Sequence, residues 1–212
     1  DEALLEAQRA EVDEKVDLPR PEHPALEAHL DHLVRLAEGL ETFRVLMQRG
    51  GVTTAADMVA GSTIGIDVEW EASKAHLQGE DVPFRTLFIH APIGWQFEVG
   101  DGAAAKFEAI RGEANEQLRW PRAIKSLADG AFISQLMRMG PPGDLDGHEG
   151  ERMIPPEHQY DVVEPWWKQG FDVYYHVNGD EGLDVVLEVF ERLKAEHPRP
   201  DFRFSLEHFG MS

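Results

Sequence analysis

Two histidines stand at the ends of two predicted strands, where imidazoles could act together. His176 lies in FDVYYHVNGD, residues 171–180, and His208 ends FRFSLEH, residues 202–208. One amphipathic helix separates them, and a right-handed crossover between parallel strands would bring both imidazoles to one edge of the sheet. Neutral imidazoles suit zinc and similar borderline metals. The alternative is that each histidine only caps its strand through local hydrogen bonds.

Lys125 is the second unusual residue, because it interrupts the apolar run AIKSLADG, residues 123–130. A lysine inside a buried strand costs several kcal/mol unless it is paired or chemically altered. Its ammonium could instead extend to the rim of the sheet. A buried lysine amine could also form a Schiff base with a carbonyl substrate.

The elements that must position these residues alternate between strand and helix five times, without a tight hairpin signal. This pattern indicates parallel β/α units. A doubly wound sheet would need a glycine-rich phosphate loop after an early strand, but Gly50 and Gly51 precede theirs. A barrel therefore fits better. The predicted strands are residues 52–58, 84–91, 123–130, 171–180 and 202–208, and the predicted helices include residues 25–48, 67–78, 103–118 and 156–168.

Polar residues at the strand ends of a β/α barrel point into the catalytic mouth. The candidates at these positions are Asp57, His90, Lys125, Asp129, His176, Asn178, Asp180, Glu207 and His208. The segment 131–156 is too long for an ordinary turn, and loops of this length are usually functional lids or disordered. We expect it to lie over the mouth, with Trp95, Phe97 and Phe132 shaping a pocket for a small-molecule substrate that has an apolar or aromatic part.

Composition excludes several classes of protein. The 212 residues suffice for one domain, residues 1–212, which begins with an acidic segment at 1–24. The formal net charge of −20 argues against nucleic acid and anionic membranes as partners. No apolar run approaches the roughly 20 residues that cross a bilayer, and the N-terminus does not look like a signal peptide, so a cytoplasmic location is predicted. The absence of cysteine excludes disulfides and thiolate metal sites.

Four stretches in order resemble the amidohydrolase superfamily, specifically amidohydrolase family 3, the YtcJ-like metal-dependent hydrolases. They match K-x-x-x-D-G, H-x-x-G-D-x-A-x-D-x-x-L and R-x-x-x-E-H, with GGVTTAAD resembling a helix-to-strand element of the family. The segment DGHEGERMIPPEH adds to the likeness. Every fixed residue is kept except the alanine, where Gly182 stands. The resemblance covers about residues 40 to 210.

The resemblance implies a partial (β/α)8 barrel of the TIM type, about strands 2 to 6. It implies hydrolysis of carbon–nitrogen bonds in amides, cyclic amides or formamide-like compounds by metal-activated water. His176, His208 and Lys125 match metal ligands for one or two divalent ions, with zinc expected, and Lys125 matches a lysine that is carbamylated in many binuclear members. Lys125 and Asp180 are predicted to act in catalysis.

Two departures limit what this chain is expected to do. The family has an H-x-H pair after its first barrel strand and an aspartate after its eighth, and neither is found here. We therefore expect the central part of a longer protein, inactive by itself and prone to self-association. The alternatives are a non-catalytic association module derived from a barrel, or an unrelated barrel lyase or isomerase that uses Lys125.

Overall fold

The computed structural model describes residues 24–62 and 64–211, except for the side chains of 24–30 and 96–98. The predicted acidic segment, apart from Pro24, and the Phe97 side chain lie outside the described residues. The chain divides after Gly39, and the part that begins at Leu40 forms one compact unit that holds the whole sheet. No helix in the described ranges is long and apolar enough to cross a membrane.

Helices and strands alternate along the chain. They are α1 (Pro24–Arg49), β1 (Thr54–Ala60), α2 (Ile66–Leu77), β2 (Arg85–His90), α3 (Pro92–Glu98), α4 (Ala103–Gly112), β3 (Leu118–Arg119), β4 (Ala123–Leu127), α5 (Pro156–Lys168), β5 (Asp172–Gly179), α6 (Asp180–Glu196) and β6 (Phe204–Met211).

The strands form one parallel sheet in the order β1-β2-β4-β5-β6, with the short β3 paired to β2. The sheet curls into a half-barrel. The predicted partial (β/α) barrel is thereby confirmed. Parallel order places the C-terminal ends of β4, β5 and β6 side by side at one edge, as the crossover rule requires.

Two segments differ from the prediction. The loop expected after β2 begins with helix α3, in which Pro92 occupies the first turn and the Trp95 indole donates to the Ala60 carbonyl at 3.0 Å. The helix expected over 103–118 ends at Gly112. Its predicted last turn is replaced because the Asn115 side chain accepts hydrogen bonds from the amides of Gln117 and Leu118, at 3.0 and 2.8 Å. Such local bonds favour a turn over a helix.

The core lies between the sheet and the helices. Alternate residues of a strand point to opposite faces, and Val173, Tyr175 and Val177 of β5 belong to this core together with Val186 and Leu193 of α6. Each fully buried aliphatic side chain contributes about 1.5–3 kcal/mol. Packing of the helices therefore fixes the face on which the remaining residues of each strand lie.

Candidate functional site

A cavity of about 450 Å³ lies where β1, β4, β5 and β6 end. Its polar lining consists of Lys125, His176, Glu207 and His208, and its apolar lining of Met58, Val59 and Leu127. The structure thus brings together three of the four residues to which the resemblance assigns a metal-binding or catalytic role, Lys125, His176 and His208. Asp180 is not among the lining residues.

The two histidine rings are close neighbours. Their centroids are 4.5 Å apart and their planes meet at 66°. His208 lies opposite Val177, after which the register between β5 and β6 shifts. At this irregularity His208 and Phe209 have φ angles of +71° and +51°. Left-handed backbone at a non-glycine residue costs about 1–3 kcal/mol, and such irregularities re-aim side chains beside functional sites.

Polar groups surround His176 on its Nε2 side. The side-chain nitrogen of Asn178, Nδ2, lies 3.0 Å from Nε2 and also donates to the Gly130 carbonyl at 3.0 Å. That carbonyl lies 3.3 Å from Nε2. Burial lowers the pKa of His176, although the Gly130 carbonyl opposes this shift, and burial also lowers the pKa of His208. Both imidazoles are therefore neutral at pH 7, the form that binds a metal.

Lys125 is 3% exposed, and its ammonium forms an ion pair with the Glu207 carboxylate on β6. Burial lowers the pKa of Lys125 to about 8. The structure thereby gives one answer to the problem of a lysine in a buried strand, because pairing offsets part of the desolvation cost. The rim position considered from the sequence is not adopted.

Asp180 begins α6 and binds backbone rather than the cavity. Its Oδ1 accepts hydrogen bonds from the amides of Gly140 and Glu181, at 2.8 and 2.9 Å. The first of these bonds contributes most to lowering the pKa of its carboxyl. The residue thus ties the segment after β4 to the start of α6. Its predicted catalytic role stays a prediction.

Two other strand-end candidates lie away from the mouth. Asp57 is inside β1, and burial raises the pKa of its carboxyl. His90 is fully buried on the helix side of the sheet, with ring centroids 4.1 Å from Trp95 and 4.3 Å from Trp166. The expectation that His90 points into the mouth is wrong, because its position in the alternation of β2 places it with the core residue Phe88.

The segment 131–155 is held by hydrogen bonds and ion pairs. Arg138 Nε lies 2.7 Å from the Glu181 carboxylate, which also lies 3.0 Å from Arg152. Within the segment, the Met139 amide donates to the Glu149 carbonyl at 3.0 Å. The two ion pairs join the segment to α6, and its expected place over the mouth stays a prediction.

Sequence reasoning nominated Lys125, His176 and His208 but did not single out Glu207 and Asn178 among the strand-end residues. Two simple signals could have found them. Asn178 is two residues from His176 and therefore shares its face of β5. Glu207 is the acidic residue nearest the end of β6, and a buried lysine needs an acidic partner.

The donor chemistry fits a divalent metal, although the number of donors is small. Two neutral imidazoles suit zinc, and a catalytic zinc takes three protein ligands. No group of three His, Cys, Asp or Glu residues in the described part of the chain could hold a metal ion.

Comparison with known proteins places the fold. No family model and no curated protein matches the chain. The crystal structure of an uncharacterized metal-dependent hydrolase from Pyrococcus horikoshii OT3 is 19% identical with a TM-score of 0.56, over 76% of this chain and 31% of that one. A second, from Pyrococcus furiosus, is 18% identical with a TM-score of 0.49, over 77% and 30%.

The chain spans about a third of the length of the solved structures that it matches. At 19% identity, the likeness to the Pyrococcus horikoshii structure concerns the path of the chain. The matched 76% of this chain therefore shares the fold of part of that protein.

Proposed function

We propose that this chain forms part of a metal-dependent hydrolase that cleaves carbon–nitrogen bonds in amides, cyclic amides or formamide-like compounds. The observation that carries the proposal is the pair His176 and His208, held with ring centroids 4.5 Å apart at the ends of adjacent parallel strands. The strained backbone of His208 supports it, because strain of this kind is concentrated at functional sites. The name of the Pyrococcus horikoshii protein is consistent with this activity.

His176 and His208 would hold the metal through their neutral imidazoles. When bound, such a metal supplies an activated water and polarises the substrate carbonyl. The residues Met58, Val59 and Leu127 give the cavity an apolar wall. That wall would contact the apolar part of a small substrate and exclude bulk water from the polar side.

Lys125 would provide a further ligand after carbamylation. Its Nζ attacks CO₂, an N–C bond forms, one C–O π pair moves to oxygen, and a proton leaves the nitrogen. Only the neutral amine reacts, and a pKa of about 8 leaves about a tenth of the amine neutral at pH 7. Glu207, already in contact with Nζ, is placed to accept the proton.

Titration of the chelator-treated protein with Zn²⁺, followed by calorimetry, tests the proposal. We expect one site whose affinity falls by more than about 100-fold in His176→Ala and in His208→Ala, beyond the 10–100-fold typical of outer partners. His76→Ala is the matched control, because His76 is a surface histidine that already has a carboxylate partner, Glu41, at 3.0 Å. Equal affinity in all three variants would contradict the proposal.

Lys125 also supports a second candidate, a lyase or isomerase that forms a Schiff base. The supporting observation is a buried amine with a pKa of about 8 on the cavity wall. Condensation would join Nζ to a substrate carbonyl carbon and release water. Borohydride reduction in the presence of small aldehydes, followed by peptide mass analysis, would show an adduct on Lys125. No adduct there, together with zinc binding that requires His208, would eliminate this candidate.

A further inference from the structure

The carboxylate of Asp129 is buried where two parts of the chain meet. One is the loop between β4 and α5, and the other is the end of β5. Asp129 is fully buried. Its Oδ1 accepts a hydrogen bond from the backbone amide of Asn178 at 2.9 Å. Its Oδ2 accepts bonds from the backbone amides of Gly179 and Arg138 at 2.7 and 2.9 Å. Three backbone donors to one carboxylate form a strong, charge-assisted arrangement.

These bonds fix the backbone of Asn178, two residues after the proposed ligand His176. Two of the three donors are the consecutive amides of Asn178 and Gly179, so the carboxylate fixes the backbone where β5 ends. The side chain of Asn178 then reaches Gly130 O and His176 Nε2, both at 3.0 Å. Asp129 is therefore linked to the imidazole through one residue, Asn178, by way of its backbone and then its side chain.

Close packing shows that the arrangement is built around small residues. A Cβ atom at Gly182 would lie 2.9 Å from Asp129 Oδ2, and a Cβ atom at Gly179 would meet the Arg138 carbonyl oxygen. Both contacts are too short for a side chain to fit without movement. Glycine at these positions allows the helix α6 and the loop backbone to enclose the carboxylate.

We propose that Asp129 is a positioning residue, which holds the His176 imidazole in its ligand orientation through Asn178 and links that orientation to the loop 131–155. This inference rests on the proposed function, because His176 is a ligand only there. Partners of a metal-binding histidine fix its ring orientation and its tautomer. In this site the acceptor that fixes the tautomer is the Gly130 carbonyl, 3.3 Å from Nε2. Asn178 holds that carbonyl through its side chain, and its own backbone amide is bound by the buried Asp129 carboxylate.

The test is Asp129→Asn, which keeps the shape but replaces one acceptor oxygen by an amide group that faces a backbone donor. We expect the ring ¹⁵N signals of His176 in the metal-free protein to shift. We also expect the Co²⁺ affinity, followed by absorption, to fall 10–100-fold. Glu181→Gln is the matched control. It alters a carboxylate that holds the same loop through the side chains of Arg138 and Arg152 rather than through Asp129, so the His176 signals should stay unchanged.

Unchanged His176 signals in a folded Asp129→Asn protein would overturn the inference. If that variant does not fold, Asn178→Ala removes the next member of the path while keeping the carboxylate. The inference then requires the His176 signals to shift in Asn178→Ala, and it fails if they do not. The metal-free signals test positioning even if the wild-type protein binds no metal, whereas failure of the proposed function would appear in the zinc and cobalt titrations.

Discussion

His90 and His176 stand at corresponding places in the fold and have opposite surroundings. Each lies near the C-terminal end of a parallel strand, in β2 and β5. His90 faces the helices, between Trp95 and Trp166, and neither of its ring nitrogens has a hydrogen-bond partner among the described residues. His176 faces the cavity and lies 3.0 Å from the Asn178 amide.

The difference follows from which face of the sheet each side chain meets. On the helix side, burial lowers the pKa of His90 to about 3, so the ring is uncharged at neutral pH. On the cavity side, His176 keeps polar neighbours, a second imidazole and a nearby lysine. An imidazole at a strand end thus becomes either a core residue or a candidate ligand, and the face of the sheet decides between them.

The largest expected effect is on the free energy of unfolding at acidic pH, which should depend on His90 more than on His176. The pKa of His90 is lowered to about 3 in the fold, so its neutral ring stabilises the fold fully above pH about 6.5. This contribution is lost progressively as the pH falls towards 3. From pH 7 to pH 4 the loss is about 3 kcal/mol. Urea unfolding of His90→Phe should show a shallower dependence of stability on pH over this interval.

His176→Gln serves as the comparison, because burial also lowers the pKa of His176 but the ring is only partly buried. Its pH dependence should therefore differ less from that of the wild-type protein. Equal changes in the pH dependence of stability in the two variants would contradict the idea that the face of the sheet decides how strongly a histidine pKa is lowered.

The next effect concerns the ion pair on the cavity side. Lys125→Met removes the cation and leaves the Glu207 carboxylate, which is 21% exposed, without its partner. We expect unfolding free energy to fall by about 2 kcal/mol, below the 3–5 kcal/mol of fully buried pairs. The double variant Lys125→Met with Glu207→Leu should recover most of this loss. A loss as large in the double variant would indicate that packing, rather than charge, explains the effect.

The smallest effect tests whether the Asp129 carboxylate is enclosed as tightly as the ring of His90. Gly182→Ala introduces alanine, which stands at this position of the motif H-x-x-G-D-x-A-x-D-x-x-L. The helix propensity of alanine is better than that of glycine by up to about 1 kcal/mol. Its Cβ atom would lie 2.9 Å from Asp129 Oδ2, and overpacking costs about 2 kcal/mol. Thermal unfolding should show a net loss of about 1 kcal/mol. A more stable variant would mean that the Asp129 carboxylate moves freely.

Local pattern was sufficient for most elements. The predicted helix over 156–168 matches α5, Pro156–Lys168, and the strand predicted at 84–91 contains β2. The helix α3 was missed because its seven residues are stabilised by the Trp95 bond to Ala60 across 35 residues, which no local signal contains. The end of α4 was misplaced because the Asn115 side chain competes with the helix for backbone amides.

The site was predictable in part. Lys125 stood out because a charge inside an apolar run requires an explanation, but it was the family resemblance that grouped it with His176 and His208. The left-handed backbone at His208 and Phe209 had no sequence signal, since neither is glycine or asparagine. The convergence of three amides on Asp129 also depended on a loop whose path the sequence does not predict.

The sequence by itself determined the alternation of strands and helices, and with it the parallel order that brings β4, β5 and β6 to one edge. Hydrophobic periodicity and helix-end signals are local, so one sequence suffices to find them. Only the tertiary structure decided which face each strand-end residue occupies and which partner it meets. Lys125 meets Glu207, and His90 meets Trp166, because those partners come from distant parts of the chain.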